Sequence, residues 1–386
     1  MRLIFRIALS AAAILIFAAP VFAERWKIQY FFDEDRSRLV IEDLVFPSEK
    51  RGIAMGTIVK EGDNKQKFTT LVTSDGGENW TQIPQKEHGR SLFFLNDSDG
   101  WMVTDDSIWF TNESGRSWKK LCEQPKAPKK SSFRGGLIES VWFLDQNRGF
   151  AAGYYKTAYE TSDGGKTWKE IAEASKPNSN PLYSMYSRIS FAPELKRGMI
   201  IGAYSPPQMQ SRYRANLPSW MEPETAAKRR QVPTLTMVLE TKDGGTKWEA
   251  NTAPLFGTIA AVRLQANEGL TVFQFNESFE WPAEVYRIDL LNGKSARVYR
   301  EKNRRVTDAL LFPGSKAVLA AVEPPGTLNT APIPGRVKIM TSSDFVTWTE
   351  AEVDYKAEAQ HVRLAGPDAD HLWAATDTGM ILRLVK

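Results

Sequence analysis

The sequence predicts an all-β protein, a seven-bladed β-propeller, from three observations. A short turn motif recurs along the chain and ends each time on a tryptophan. Apolar, strand-like runs lie at regular intervals before each copy of this motif. A spare N-terminal strand can complete a ring that is otherwise one strand short. Several short strands in repeats of about 40–50 residues are the pattern of a propeller.

The turn motif combines an acidic residue, glycine and a tryptophan on the returning strand. Three copies are well preserved, a fourth has drifted and a fifth keeps only its ends: Thr73–Trp80, Thr161–Trp168, Thr241–Trp248, Thr111–Trp118 and Thr341–Trp348. In the fifth copy, Ser343 stands at the acidic position and Phe345 at the glycine position. An Asp side chain can accept backbone N–H groups of the turn that it begins, and glycine supplies a positive φ.

The conserved positions of the motif are therefore expected to be structural, with the tryptophan as a large apolar anchor between neighbouring sheets. These residues are Asp75, Gly77, Trp80, Trp118, Asp163, Gly165, Trp168, Asp243, Gly245 and Trp248. No copy has the later bidentate Glu that a calcium loop needs, so no metal is predicted there. The motif resembles the Asp-box, or BNR, repeat of sialidase-type and related propellers.

The first 23 residues are expected to be a signal peptide. Arg2 and Arg6 precede an apolar run, and Val21-Phe22-Ala23 has the small residues of a cleavage site. We expect one propeller domain over residues 24–386, exported to the periplasm or the extracellular space. No other apolar run approaches the roughly 18–20 residues of a membrane span. An uncleaved N-terminal anchor is the alternative.

Composition narrows the partners that the chain can have. Its 50 basic and 46 acidic residues give a net charge of +4, and removal of Arg2 and Arg6 leaves +2. This near-balance argues against nucleic-acid binding, which requires a strongly basic domain. The single cysteine, Cys122, cannot form an intrachain disulfide. The three histidines lie far apart in the sequence, so neither a metal site nor a cofactor is predicted.

The apolar runs divide into seven blades. Blade five lacks the turn motif and turns instead on Asn292-Gly293, a strong hairpin signal. The last blade is one strand short, and residues 26–32 alternate as a strand should. We expect this N-terminal segment to supply the outer strand of blade seven and to close the ring. Residues 205–234 form an insertion in blade four without strand periodicity.

Strand order divides the loops between two faces. The interblade loops and the turns between second and third strands share one face, here called the upper face; the turn motifs share the opposite, lower face. Three upper loops, residues 123–136, 205–234 and 300–305, each carry a net charge of +3. Arginine with tyrosine or tryptophan is typical of interface hot spots, and the arginine fork suits carboxylates and phosphates.

These loops predict a binding face for an acidic partner, with ordinary solvated surface as the alternative. The predicted partner-binding residues are Lys129, Lys130, Arg134, Arg212, Tyr213, Arg214, Trp220, Arg229, Arg230, Arg304 and Arg305. Further aromatic residues are expected on the same face: Tyr183, Tyr186 and Tyr204. The partner is expected to be a protein or an anionic polymer, bound by a monomer.

The first strand of each blade should line the central channel. Its mouth is expected to carry Asp43, Glu139, Arg188, Asp308 and His361. Separated carboxylates can serve glycoside hydrolysis, which needs an acid and a base or nucleophile about 5–10 Å apart. A sialidase would also need an Arg-Ile-Pro motif near its start, and the nearest string, Ser187-Arg-Ile-Ser190, lacks the proline. A carbohydrate-active propeller is therefore the alternative function.

Blades that open with an apolar–Phe–turn–Gly pattern and close on T-x-D-G-G-x-x-W are similar to those of the photosystem II assembly-factor-like propellers. Residues in blades one to four carry the resemblance. It implies a propeller without a catalytic site that binds a partner protein through an arginine-rich face and assists its assembly. A repeat subunit of a larger envelope assembly is a third hypothesis.

Overall fold

A computed structural model describes residues 24–63, 65–129, 131–133, 135–205, 233–275, 281–323 and 334–385. The predicted signal peptide and residues 206–232 of the predicted insertion lie outside these ranges. The described chain forms seven sheets, each made mainly of consecutive antiparallel strands. Among the described residues, no helix has the length and apolar character needed to cross a membrane.

The first strand, β1 (Arg25–Phe31), belongs to the last blade, and the other strands follow in chain order. Blade one contains β2 (Ser37–Val45), β3 (Gly52–Lys60), β4 (Gln66–Thr73) and β5 (Thr81–Gln85). Blade two contains β6 (Gly89–Phe94), β7 (Gly100–Thr104), β8 (Ser107–Thr111) and β9 (Lys119–Glu123). Blade three contains β10 (Ile138–Phe143), β11 (Gly149–Gly153), β12 (Ala158–Thr161) and β13 (Lys169–Glu170).

The remaining blades follow the same order from the channel outward. Blade four contains β14 (Ser184–Ala192), β15 (Arg197–Tyr204), β16 (Thr234–Thr241) and β17 (Glu249–Leu255). Blade five contains β18 (Gly257–Gln265), β19 (Glu268–Phe275), β20 (Ala283–Asp289) and β21 (Ser295–Tyr299). Blade six contains β22 (Arg305–Phe312), β23 (Lys316–Val322), β24 (Gly335–Ser342) and β25 (Thr349–Glu350), and short β26 (Glu352–Val353) and β27 (Glu358–Ala359) follow it. Blade seven contains β28 (Val362–Ala365), β29 (Trp373–Thr376) and β30 (Met380–Val385).

Among the described residues, three short 3₁₀ helices lie in the loops of blades three and four. They span Ala172–Ser175, Pro181–Tyr183 and Pro193–Leu195. The innermost strands contact one another around the ring, and β28 of blade seven contacts β2 of blade one. The predicted seven-bladed propeller is confirmed.

The N-terminal strand closes the ring as predicted. β1 pairs antiparallel with β30, with Trp26 opposite Leu384, and pairs on its other edge with β26. Trp26 is fully buried in the core between blades six and seven, among residues such as Val337 and Leu382. Pairing with β30 closes the seam, and β26 covers the outer edge of β1 only at Arg25 and Trp26.

Each blade is stabilised by packing between two neighbours. Second strands such as β11, with the sequence GFAAG, are buried along their whole length, which explains their small and apolar residues. Rings from adjacent blades stack face to face, with centroids 3.6 Å apart for Phe46 and Trp373 and 3.8 Å apart for Phe143 and Trp101. A Cβ at Gly52 would lie 2.3 Å from the Phe46 ring, so close approach requires glycine there.

The turn motifs have the chemistry expected of them. In blade one, Asp75 accepts the N–H of Asn79 at 3.0 Å, and Thr73 Oγ1 accepts the N–H of Gly77 at 2.9 Å. Gly77 has a φ of +88°. These hydrogen bonds, first among them that from Asn79, lower the pKa of Asp75 to about 2. Asp163 repeats the arrangement in blade three, and its pKa is also about 2.

The motif in blade six corrects the sequence alignment. Asp344, not Ser343, is the acidic residue, because it accepts the N–H groups of Val346 and Thr347 at 2.8 Å. Ser342 takes the place of the motif threonine and accepts the N–H of Phe345 at 2.9 Å. The turn is one residue shorter than its counterparts, and Phe345 adopts a positive φ of +60° where they have glycine.

Candidate functional site

The channel walls share a local distortion. In each of the first six blades, the pairing of the innermost strand with the second strand shifts at the same level, as a β-bulge. The residues after the bulge are Asp43, Ser91, Ser140, Arg188, Ala261 and Asp308. A bulge redirects a side chain and interrupts pairing. The functional groups of the channel therefore lie at one level of the ring.

Two of the predicted channel carboxylates hold neighbouring blades together. Asp43 accepts the N–H of Leu92 in blade two at 2.8 Å, and Asp308 accepts the N–H of Leu364 in blade seven at 3.0 Å. Each also accepts the N–H of its own following residue. Burial raises the pKa of Asp43, and Arg363 opposes that effect. Asp308 also binds Arg263 at 2.8 Å. These contacts commit both carboxylates to the fold and disfavour a hydrolytic role.

Glu139 lies in a third polar cluster, on the wall of blades two and three. It lines the channel beside Arg90, and its charge adds to burial in raising the pKa of Tyr154. The Arg90 guanidinium lies 5.0 Å from the centre of the Tyr154 ring and donates to Asp105 at 2.8 Å. The charge of Glu139 is thus partly neutralised by Arg90, and among the described residues Glu139 does not face a second carboxylate as it would in a glycosidase.

Blade seven contributes a residue that sequence analysis missed. The sequence predicted His361 as the channel residue of blade seven. The N–H of Leu364 donates to Asp308 in the same way as the N–H of Leu92 donates to Asp43, so Leu364 is the counterpart of Leu92. Arg363 therefore occupies the level of Asp43, and His361 lies two residues nearer the upper mouth. In Asp43-Leu44 and Ser91-Leu92, a leucine follows the residue at the level of the bulge. Aligning Arg363-Leu364 with these pairs would have predicted that Arg363 lies at this level. Burial, followed by the charge of Arg305, lowers the pKa of His361.

Arg188 has the predicted position at the channel mouth. Its Nε donates to the carbonyl of Ala260 at 2.5 Å, and Nη1 donates to the carbonyl of Ser187 at 2.9 Å. Burial and then the charge of Arg363 lower the pKa of Arg188 to about 10. Arg188 therefore stays charged at neutral pH in a desolvated position.

A cavity of about 540 Å³ opens above these groups at the upper mouth, between blades three and seven. Its rim is aromatic and apolar, with Phe133, Tyr154, Tyr155, Leu182 and Tyr183. Its floor contains Arg188, Arg363 and His361. No Asp or Glu among the described residues lines it. This mouth cavity can receive an apolar chain that carries a negative group.

The predicted aromatic face requires one correction. Tyr186 is fully buried, and its hydroxyl donates to the carbonyl of Ala174 at 3.1 Å. It belongs to the core between blades three and four, not to the upper surface. Tyr183 lines the mouth cavity, and Tyr204 ends β15 beside it.

The three basic loops differ in what the structure describes. Lys129 and Arg305 are exposed, whereas Arg304 binds Glu323 at 3.3 Å and Glu350 at 2.8 Å. The contacts of Arg304 disfavour its predicted role in partner binding. The other predicted partner-binding residues lie outside the described ranges: Lys130, Arg134, Arg212, Tyr213, Arg214, Trp220, Arg229 and Arg230. Within those ranges, no three or more His, Cys, Asp or Glu side chains group as metal ligands.

Comparison with known proteins identifies similar folds. No protein-family profile and no curated protein matches the chain. The solved structure of YCF48 bound to D1 peptide is 17% identical, with a TM-score of 0.54, covering 93% of this chain and 100% of that one. YCF48 from Cyanidioschyzon merolae is 14% identical, with a TM-score of 0.56 and coverages of 93% and 98%.

A third similar structure comes from a different kind of protein. The β-propeller domain of the Trilobed protease from Pyrococcus furiosus is 14% identical, with a TM-score of 0.51, and the alignment covers 89% of this chain and 94% of that one. At such identities the likeness is one of fold. The chain is a seven-bladed β-propeller that is structurally similar to YCF48.

Proposed function

We propose that this chain is a non-catalytic propeller that binds a segment of a partner protein in its upper mouth. The observation that carries the proposal is the composition of the mouth cavity. Its rim is aromatic, its floor has two guanidinium groups, and none of its described lining residues is acidic. An extended segment with a negative group complements this cavity in both shape and charge.

The size and chemistry of the cavity suit such a segment. Ligand pockets commonly measure about 300–1,000 Å³ and combine apolar walls with a few polar groups. Tyrosine rings supply large contact areas for little loss of conformational entropy, and arginine binds carboxylates with two parallel hydrogen bonds. The exposed Lys129 and Arg305 extend the positive surface around the mouth. One similar propeller, YCF48, has been solved bound to D1 peptide, which supports peptide binding by this fold.

The proposal includes export, because residues 1–23 have the pattern of a signal peptide. The protein recovered from the periplasm or the medium should then begin near Glu24. Mass spectrometry of its N-terminal peptide tests this part independently of binding. A chain that retains Arg2 and Arg6 and stays in the cytoplasm would contradict export.

A salt-graded pull-down from the native envelope fraction, with the partner identified by cross-linking, tests partner binding. The variant reverses the charges of Arg212, Arg214, Arg229 and Arg230 and also carries Arg363→Gln in the floor of the mouth cavity. A matched control reverses four exposed cations of the lower face: Lys50, Arg116, Lys166 and Lys247. We expect one protein to be lost with the upper-face variant, kept with the control and weakened by salt, because exposed charge pairs are screened.

Equal retention by all three proteins would refute the proposed binding face. Glycan binding or turnover that survives the upper-face variant would favour the carbohydrate-active alternative. Sedimentation of the purified chain as a stable oligomer would favour a subunit of a larger assembly.

A further inference from the structure

Arg188 and Arg363 lie where two cavities of the central channel meet, at a level that we call the waist. Arg188 and Arg363 line the mouth cavity above and also a second cavity of about 350 Å³ below. Arg188 comes from the innermost strand of blade four and Arg363 from that of blade seven. A ligand that enters the channel from the upper mouth therefore contacts both guanidinium groups at the same depth.

Neither guanidinium of the waist forms an ion pair with a carboxylate of the described residues, although the charges of Asp43, Asp308 and Glu139 act on them from a greater distance. Within the part of the chain that the structure describes, Arg188 donates only to the carbonyl oxygens of Ala260 and Ser187. Arg363 makes no hydrogen bond and no ion pair with any residue that the structure describes. Arg363 repels the desolvated Arg188, and a desolvated charge without an ion pair is costly. An anion between them would relieve both costs.

The nearby acids cannot perform this role. Asp43 and Asp308 each accept two backbone N–H groups, and Asp308 also binds Arg263. Glu139 lies beside Arg90 and Tyr154 on the wall of blades two and three. Above the waist, Asp377 accepts the N–H of Gln360 at 2.9 Å, while Arg305 and His361 add no negative charge. The described groups therefore leave the upper side of the waist positive.

We propose that the waist is a carboxylate-binding site in which Arg188 and Arg363 hold one carboxylate between them. The guanidinium fork matches the two oxygens of this group, and the aromatic rim excludes water from the contact. The carboxylate can belong to a small free acid or to a bound protein segment. Only this second source rests on the proposed function; the site itself does not.

A spectroscopic assay tests the site without any partner. The probe is trifluoroacetate, whose ¹⁹F line broadens when it exchanges onto the purified protein. We expect broadening that acetate reverses at constant ionic strength. Arg363→Gln should weaken trifluoroacetate binding about tenfold, which corresponds to the loss of one hydrogen bond between charged groups. Arg363→Lys, which keeps the charge but not the fork, should have an intermediate affinity.

Two matched controls separate the site from the general field of the protein. Arg336→Gln removes an exposed positive charge from the upper end of β24, outside the cavity lining and the predicted binding loops, and Arg116→Gln removes one from the lower face. Both should keep the affinity of the wild type. No broadening with wild type, or an equal loss with Arg336→Gln and Arg363→Gln, would overturn the proposal.

Competition by peptides then distinguishes the two sources. The same peptide is compared with a free terminal carboxylate, with a terminal amide, and with an internal Glu. Displacement of trifluoroacetate by the free-acid or Glu form but not by the uncharged amide assigns the site to a protein segment. Displacement by acetate alone assigns it to a small acid and leaves the carboxylate site standing, while the proposed peptide function fails.

Discussion

The lower face and the upper mouth of this propeller differ in whether their charged side chains have bonding partners within the protein. On the lower face, Asp75, Asp163 and Asp344 are each saturated by hydrogen bonds from their own turn. At the mouth, Arg188 and Arg363 line a cavity to which no described Asp or Glu contributes, and neither forms an ion pair with a described carboxylate. The lower face therefore uses its polar groups to define the fold, whereas the mouth keeps groups whose interactions a ligand can complete.

The largest effect is expected where a lower-face anchor is removed. Trp101 is fully buried, stacks on Phe143 and donates to the carbonyl of Gly164 at 2.9 Å in the next blade. Trp101→Ala should lower the free energy of unfolding by about 3–5 kcal/mol, as for other buried tryptophans. Urea titration measures this loss. The upper-face control is Trp281→Ala, at a half-buried tryptophan whose ring centre lies 4.2 Å from the Arg300 guanidinium. This substitution should lower the free energy of unfolding by less than about 2 kcal/mol.

A channel carboxylate that joins two blades should come next. Asp308→Ala removes the acceptor for Leu364 and leaves Arg263 without its partner. We expect a loss of about 3 kcal/mol in urea titration, because a buried pair is broken on one side. The exposed Asp97 provides a control, and Asp97→Ala should change stability by less than about 0.5 kcal/mol. Comparable stability of the two variants would show that the blade-to-blade contact is dispensable.

Single turn motifs should each contribute less. Asp163→Ala removes the acceptor for Thr167 and should cost about 1 kcal/mol after solvent screening. Because the folded pKa of Asp163 is about 2, below its ordinary value of 3.8, its contribution is present above about pH 4 and is lost as pH falls toward 2. The melting temperatures of wild type and Asp163→Ala should therefore converge as the pH is lowered from 5 to 2.5. A difference in melting temperature that stays constant over this range would contradict the lowered pKa of Asp163.

His88 gives the opposite pH dependence between blades one and two. Its Nε2 lies 2.9 Å from Glu42, and its Nδ1 lies 3.4 Å from Asp105, which Arg90 also binds. The hydrogen bond with Glu42 is the main cause that raises the pKa of His88 above 6.5. Its stabilisation is therefore complete below the unfolded pKa and is lost as pH rises through the folded pKa. Melting curves of wild type and His88→Gln should differ more at pH 5.5 than at pH 8.5.

The smallest effect on stability is expected at the waist. Arg363 has no hydrogen-bond partner among the described residues and repels Arg188, so Arg363→Gln should raise the free energy of unfolding by about 0.5 kcal/mol. Urea titration without added anions measures this. A loss as large as that of Asp308→Ala would show that Arg363 belongs to the scaffold, and the contrast between the two regions would disappear.

Sequence periodicity predicted the blades because their contacts are mostly local. The turn motifs place Asp, Gly and Trp at fixed spacings, and consecutive strands pair along the chain. Even the N-terminal closing strand followed from counting, since one blade lacked a strand. The register of blade six was missed because Phe345 adopts a positive φ that its sequence does not announce. Tyr186 was placed on the surface because periodicity alone does not show which side of a blade faces its neighbour.

By itself, the sequence determined the fold class, the number of blades, the closing strand and the structural role of the turn motifs. Tertiary structure decided the chemistry of the channel, because each blade supplies only one or two charged side chains to it. Whether Asp308 is free or bound depends on Leu364 and Arg263 in two other blades. Whether Arg363 is paired depends on the same ring closure. Charges separated by whole blades in the sequence acquire their roles only when the ring brings them to one level.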